Sequence, residues 1–294
     1  MKLFIKIALM IQAIILLSIQ SVVSCIKIIL LYKRSSSLPP KQKSSCTVLG
    51  NGPSLKKTLE ENFHFLLSSE LFCVNSFVVS DYFLKLKPQN YILFDPVFFT
   101  EEGIKRENIK TVYESLIART DWTIYLYVPM HAKKFTFFLD FIKQNTNIRA
   151  VYFNYIVLEG FTWFKNWAFR NNLGMMQSQT VIVSALFLTV NRGFEKIFLV
   201  GADTSWHEEL RINNDNLLLL KETNFYNTES QSKNEIALID PAKKNKITMA
   251  VQFMSMAKVF KGYEYLNAYA IKQHIKIYNA SAKSYIDAFE RVKL

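Results

Sequence analysis

Gly50-Asn51-Gly52-Pro53-Ser54 is the stretch of this sequence best suited to do chemistry. Two glycines let a chain turn tightly and bring its backbone close to a ligand, and free amides at the head of a helix attract anions. Ser54 can cap such a helix, and Asn51 can donate or accept a hydrogen bond. The same residues also make an ordinary strand-to-helix turn, because Asn-Gly and Gly-Pro are common turn pairs. The loop has neither the spacing of a dinucleotide fingerprint nor the lysine of a phosphate loop.

Three more polar residues follow short apolar runs: Asn75 after Phe72-Cys73-Val74, Asp95 after Ile92-Leu93-Phe94, and Asp203 after Phe198-Leu199-Val200-Gly201-Ala202. An asparagine there can read a base or ribose, and an aspartate can accept from hydroxyls. Ser178, Gln179 and Thr180 precede an apolar helix, where they cap it or offer its amides to a phosphate. Of the four histidines, His64, His131, His207 and His274, only His207, four residues beyond Asp203, is placed to act as a general base. No metal-ligand spacing is present, and no metal or cofactor is expected.

These residues need a frame that brings strand ends together. Apolar β-type runs at Cys46–Leu49, Leu71–Val74, Tyr91–Phe94, Thr123–Val128, Val151–Tyr155, Lys196–Val200 and Lys276–Tyr278 alternate with helical stretches, among them Thr180–Asn191 and Thr248–Tyr269. The alternation predicts an α/β domain with a doubly wound, mostly parallel sheet of the Rossmann-like kind over 46–294. Ligands of such sheets bind at the carboxyl ends of the strands. The polar segment 204–247, interrupted by Leu217–Leu220, reads as a lid-like insertion beside those ends or as a surface excursion.

Half of the 294 residues are apolar, enough for a substantial core. The formal charge of +12 favours anionic partners such as lipid headgroups, nucleotide phosphates or an acidic glycan. Nucleic acid is not expected: the short clusters Lys33-Arg34, Lys133-Lys134 and Lys243-Lys244-Asn245-Lys246 carry no recognition signature and read as solvated faces. Three cysteines, Cys25, Cys46 and Cys73, form no disulfide framework and suit a reducing compartment.

From Ile7 to Ile26 no residue is charged, and about 20 helical residues span the ~30 Å of a bilayer core. Residues 1–34 are therefore expected to form a single-pass transmembrane helix, with 35–45, containing Pro39-Pro40, as a linker. A cleaved signal peptide or a lipoprotein box ending at Cys25 fits less well, because Ile26–Leu31 continues the apolar run. Lys27, Lys33, Arg34, Lys41 and Lys43 follow the span while Lys2 and Lys6 precede it, which predicts a cytoplasmic domain on an inner membrane.

The motifs together resemble a known family. Val48-Leu49-Gly50-Asn51-Gly52-Pro53-Ser54-Leu55, then Cys73-Val74-Asn75-Ser76-Phe77, then Phe94-Asp95-Pro96-Val97-Phe98-Phe99, and later Arg192 to Asp203, follow the order seen in bacterial CMP-sialic acid-dependent sialyltransferases. In those enzymes the first loop and the following asparagine hold the CMP donor. The first motif also resembles the broader MptE-like family, which includes pterin pyrophosphokinases and surface-polysaccharide proteins. Three departures separate this chain from the sialyltransferases: no histidine stands between His207 and His274, their paired tyrosines for the leaving phosphate are not matched, with only Trp206 and Tyr226 in the neighbourhood, and their Asn-Pro is Asp95-Pro96.

The resemblance implies a membrane-associated glycosyltransferase that moves a sugar from a nucleotide-sugar donor to a glycan or lipid-linked glycan acceptor. Gly50, Asn51, Gly52, Pro53 and Ser54 would hold phosphate and sugar, Asn75 and Asp95 would read the nucleoside, and Asp203 or His207 would deprotonate the acceptor. A non-catalytic scaffold of polysaccharide assembly and a pterin diphosphokinase are the alternatives. Donor, acceptor and oligomeric state stay open at this level.

Overall fold

The computed structural model describes residues 2–221, 223–226, 235–240 and 245–294. The chain opens with α1 (Lys2–Leu31) and an extended segment, then winds through β1 (Ser45–Leu49), α2 (Leu55–Glu61), α3 (Phe63–Ser68), β2 (Glu70–Val74), α4 (Tyr82–Leu86) and β3 (Asn90–Ile92). It continues through α5 (Glu101–Ile104), α6 (Glu107–Arg119), β4 (Ile124–Pro129), α7 (Thr136–Lys143), β5 (Ile148–Phe153), α8 (Thr162–Arg170), α9 (Val181–Asn191) and β6 (Lys196–Val200). An excursion with β7 (Leu210–Ile212), β8 (Leu218–Lys221) and β9 (Glu235–Ala237) follows, then α10 (Met249–Lys272), β10 (Lys276–Asn279) and β11 (Glu290–Arg291).

Eight strands form one parallel sheet in the order β11-β10-β6-β1-β2-β3-β4-β5. The chain builds outward from β1 to β5, then returns to β1's other side with β6 and builds the opposite way. The reversal leaves a crevice at the carboxyl ends of β1 and β6, where an open α/β sheet takes ligands. Both faces of the central strands are covered, which is why those strands read as unbroken apolar runs. Successive side chains point to opposite faces: Val48, Phe72 and Val74 join α8, α9 and α10 in one core, while Leu49, Leu71 and Cys73 join α2, α3, α6 and α7 in the other. In α9 every residue from Ile182 to Val190 is buried.

The expected α/β class is what the chain adopts, with strand bounds shifted by a few residues. β3 stops at Ile92, so Leu93 and Phe94 already belong to the loop, and β5 starts earlier, at Ile148. The 204–247 segment contains more than polar loop: β7, β8 and β9 pair as an antiparallel sheet whose Leu218 and Leu220 are buried. Lys243 and Lys244 of the third basic cluster lie outside the described residues.

Residues 36–43 have no regular structure but are fastened along the domain. The Ser36 amide donates to the Tyr152 carbonyl (2.9 Å) and its hydroxyl accepts from the Tyr152 amide (3.0 Å), covering the free edge of β5. At the amino ends of the strands Arg192 pairs with Glu70 at 2.8 Å, both side chains at most 1% exposed. Arg192 also donates to the carbonyls of Pro39 (2.9 Å) and Pro40 (2.7 Å) and to Asn90 (2.7 Å), and Glu70 accepts from the Gln42 amide at 2.7 Å. Every charge in this buried cluster has a partner, as burial demands.

Helix α1 is long and apolar enough to cross a membrane. Its last third lies against the chain that leaves β5. Ser24 Oγ donates to the Glu159 carbonyl (2.9 Å) and accepts from the Glu159 amide (2.8 Å), and Ser21 Oγ accepts from the Phe161 amide (3.0 Å). Lys27 Nζ reaches the Val157 carbonyl at 3.3 Å.

Candidate functional site

The crevice between β1 and β6 is built by two loops that nearly touch. The Gly50 amide donates to the Val200 carbonyl and the Gly52 amide to the Gly201 carbonyl, both at 2.8 Å. A β-carbon at Gly50 would lie 2.9 Å from the Gly201 carbonyl carbon, and one at Gly52 would lie 2.8 Å from the carboxyl carbon of Asp203. Gly201 itself has φ +63°, which favours glycine. The sequence suggested that these glycines let a ligand approach; within the fold they let one loop approach the other.

Asp203, 4% exposed, sits at the head of α2. It accepts from the Ser54 amide (3.1 Å) and the Ser54 hydroxyl (2.5 Å). Ser54 was expected to cap α2 with its own side chain; it is instead in helical conformation and its hydroxyl bonds outward, because the Asp203 carboxylate serves that end. Burial raises the Asp203 pKa, against the opposing pull of the Ser54 bonds and of the Lys283 charge. The next residue, Thr204, has φ +52°, a left-handed conformation rare for a β-branched side chain and a mark of local strain.

Two asparagines stand at the neighbouring ends of β1 and β2. Asn51 Nδ2 donates to the Val74 carbonyl (3.0 Å), while its Oδ1 is buried with no partner among the described residues. Asn75, in left-handed conformation at φ +47°, likewise has a buried Oδ1 without a partner among the described residues. Its carbonyl accepts from the fully buried Tyr91 hydroxyl, which accepts in turn from the Val78 amide at 2.9 Å. The insertion comes back to this point: the Phe225 amide donates to the Asn51 carbonyl (3.1 Å), and the Phe225 ring lies 5.6 Å from that of Phe77.

The other expected residues line the same edge with local roles. Asp95 is exposed and accepts from the Val97 amide at 3.0 Å. Phe94 meets Tyr155 edge-on at 4.8 Å, and the Tyr155 hydroxyl donates to the Ser178 carbonyl at 2.8 Å. Thr180 caps α9 by accepting from the Val183 amide at 3.5 Å. The Ser178 hydroxyl donates to the Thr180 carbonyl (2.7 Å) and accepts from Ser184 (3.0 Å), while Gln179 is exposed. Thr180 is thus the residue of this tripeptide that caps the helix. The buried Tyr263 hydroxyl bonds the side chains of Thr180 and Thr204, tying the head of α9 to the β6 loop.

His207 stands in a 3₁₀ turn, its ring 4.4 Å edge-on from Tyr285. A groove of about 350 Å³ beside it is lined by Phe253, Met256, Ala257 and Phe260. The sequence reading missed the segment after β10. Lys283 pairs with Glu208 at 2.5 Å, the Tyr285 hydroxyl also bonds Glu208, and the Tyr285 amide donates to the Asp203 carbonyl at 2.9 Å. The bonds from Lys283 and Tyr285 lower the Glu208 pKa, and Glu208 in turn raises those of Lys283 and Tyr285. Extending the strand-end rule to β10 would have found this segment. Chemically, the crevice combines a protonatable buried carboxyl, a cation, an imidazole and two unsatisfied acceptors. Among the described residues no group of three His, Cys, Asp or Glu side chains is placed to hold a metal ion.

No family model and no curated protein sequence matches the chain. Among solved structures it is similar to "Structure of MAf glycosyltransferase from Magnetospirillum magneticum AMB-1", at 12% identity and a TM-score of 0.47 over 88% of this chain. The chain spans about a third of that protein, 35% of its length. A likeness of this degree carries no assignment of activity.

Proposed function

We propose that the chain is a membrane-anchored glycosyltransferase that uses a nucleotide-sugar donor, with a CMP-linked sugar as the first donor to test. The observation that carries this reading is the pair of unsatisfied, buried amide oxygens of Asn51 and Asn75 at the adjoining ends of β1 and β2, beside the switch point. Buried acceptors without a donor are rare in folded proteins and call for one. An exocyclic amino group or ribose hydroxyls of a nucleoside supply such donors. Entry requires the Phe225–Tyr226 segment to swing away from Asn51, which gives the insertion its lid role.

In this scheme Gly50 to Ser54 form the wall against phosphate and sugar, and Asp95, Ser178, Gln179 and Thr180 line the outer rim. Asp203, with its raised pKa, takes the acceptor proton, and His207 beside the apolar groove serves the acceptor side. The acceptor is a glycan or lipid-linked glycan in the plane of the inner membrane, with the domain on the cytoplasmic side.

One observation favours the scaffold reading instead: the Asp203 carboxylate already occupies the amide at the head of α2. Calorimetry with CMP, UDP and GDP separates the two. The transferase reading expects one nucleotide to bind, and Asn51→Ala with Asn75→Ala to weaken it by at least ~1.4 kcal/mol, tenfold. Absence of binding by all three nucleotides would leave the scaffold.

A further inference from the structure

The core accounts for only one side of α8. Phe164, Ala168 and Phe169 bury one side of this helix, while Trp163 and Trp167, one turn apart on the same stripe, are 72% and 49% exposed. Phe161 stacks on Trp163 at 6.3 Å and extends the aromatic face toward α1. Lys165, between the two tryptophans in sequence, holds its ammonium 5.2 Å from the ring of Tyr265, itself 55% exposed.

The position of this face relative to α1 is fixed by hydrogen bonds. Ser21 Oγ accepts from the Phe161 amide, and Ser24 exchanges two bonds with Glu159. Gly160, at φ +111°, lies so close to Ser21 that a β-carbon would sit 2.7 Å from the Ser21 nitrogen. The part of α1 that precedes this dock, residues 3–20, is about 27 Å long at 1.5 Å per residue. That matches the ~30 Å hydrocarbon core of a bilayer. The whole helix is longer than the core requires, and its surplus is the part bonded to the domain. The membrane boundary therefore falls near Ser21, level with Phe161, and Trp163 and Trp167 follow within two turns. Tryptophan rings favour that headgroup level because they are apolar with one polar N–H.

We propose that the Phe161, Trp163 and Trp167 face is a second membrane contact, lying in the headgroup zone of the bilayer that α1 crosses and holding the domain down against it. This rests on the membrane-anchor reading. A transmembrane helix alone would leave the domain free to tilt; the helix together with an interfacial aromatic face sets its orientation.

The test uses the full chain reconstituted in phosphatidylcholine–phosphatidylglycerol vesicles, with and without bromine near the top of the acyl chains as a contact quencher. The chain has four tryptophans, and α1 has none. Brominated vesicles are expected to reduce its emission, and Trp163→Phe with Trp167→Phe to abolish most of that reduction. Phenylalanine keeps the face apolar, and Trp122 and Trp206 remain as internal references. A vesicle-bound chain without quenching, or with quenching equal in the double variant, overturns the proposal alone. Shielding of both tryptophans from aqueous acrylamide without quenching by bromine assigns the face to a second copy or another protein, which also overturns it. A chain that stays in the supernatant overturns the anchor reading and this inference with it.

Discussion

Asp203 is the residue on which fold and chemistry depend together. Its carboxyl is buried, and burial raises its pKa despite the two Ser54 bonds. An unfolded aspartate titrates near ~3.9. Between that value and the higher folded one, the native state binds more protons than the unfolded state, so stability falls as pH rises through this window. Asp203→Asn should keep the Ser54 amide bond and remove that fall, flattening the urea midpoint across the acid range; an unchanged pH slope would refute the raised pKa. The same variant should abolish transfer if Asp203 is the base. Gly52 has a different liability. A β-carbon there would meet Gly201 and Asp203 at contact-violating distances, so Gly52→Val should destabilise by about 1–3 kcal/mol through overpacking. Denaturation midpoints check this directly. A stable Gly52→Val with weakened nucleotide binding would favour the ligand-contact reading suggested by the sequence over a purely structural role.

Between elements, the buried Arg192–Glu70 pair joins the α9 terminus, the starts of β2 and β3, and the extended segment before β1. Removing one partner of a buried, hydrogen-bonded pair leaves a charge without compensation, so Arg192→Met should cost about 3–5 kcal/mol, read as a shift in the denaturation midpoint. A loss under ~1 kcal/mol, typical of surface pairs, would contradict the role given to the cluster. None of this was legible in the sequence, where Pro39-Pro40 announces a linker and Arg192 a helix end. The parallel sheet was legible, because strands buried on both faces leave apolar runs that end in polar or glycine residues, as at Val74-Asn75 and Val200-Gly201. β7, β8 and β9 were not, because they are only three or four residues long and are set in a segment that is otherwise polar. The site was half legible. Asn51, Asn75 and Asp203 stand next to strand ends, but Asp203's partner Ser54 is distant in sequence, and Lys283 and Tyr285 reach the crevice only through the final turn of the chain.

For the whole molecule, the question is how the crevice is presented to the surface beneath it. The path is continuous: Phe94, next to Asp95, meets Tyr155; Tyr155 bonds Ser178; and the chain from Asn154 to Phe161 carries the dock for α1. The rim of the candidate site and the docked part of α1 are thus two ends of one short segment. An acceptor confined to a membrane would meet the crevice at a fixed height only if that dock is rigid. Gly160→Val tests the dock without touching the site. Valine would overlap Ser21 and would have to adopt φ +111°, which β-branched residues avoid. The variant should still fractionate with membranes, because residues 3–20 are unchanged, and the core sheet should keep its midpoint within about 1 kcal/mol, since few of its contacts involve α1. The amides of Glu159 and Phe161, which donate to the Ser24 and Ser21 hydroxyls, should lose their protection from hydrogen exchange. Transfer to a lipid-linked acceptor should fall while nucleotide affinity stays the same. If both amides exchange as slowly as in the parent chain, α1 and the domain are not coupled through Gly160, and the height of the crevice above the membrane must be set by some other contact.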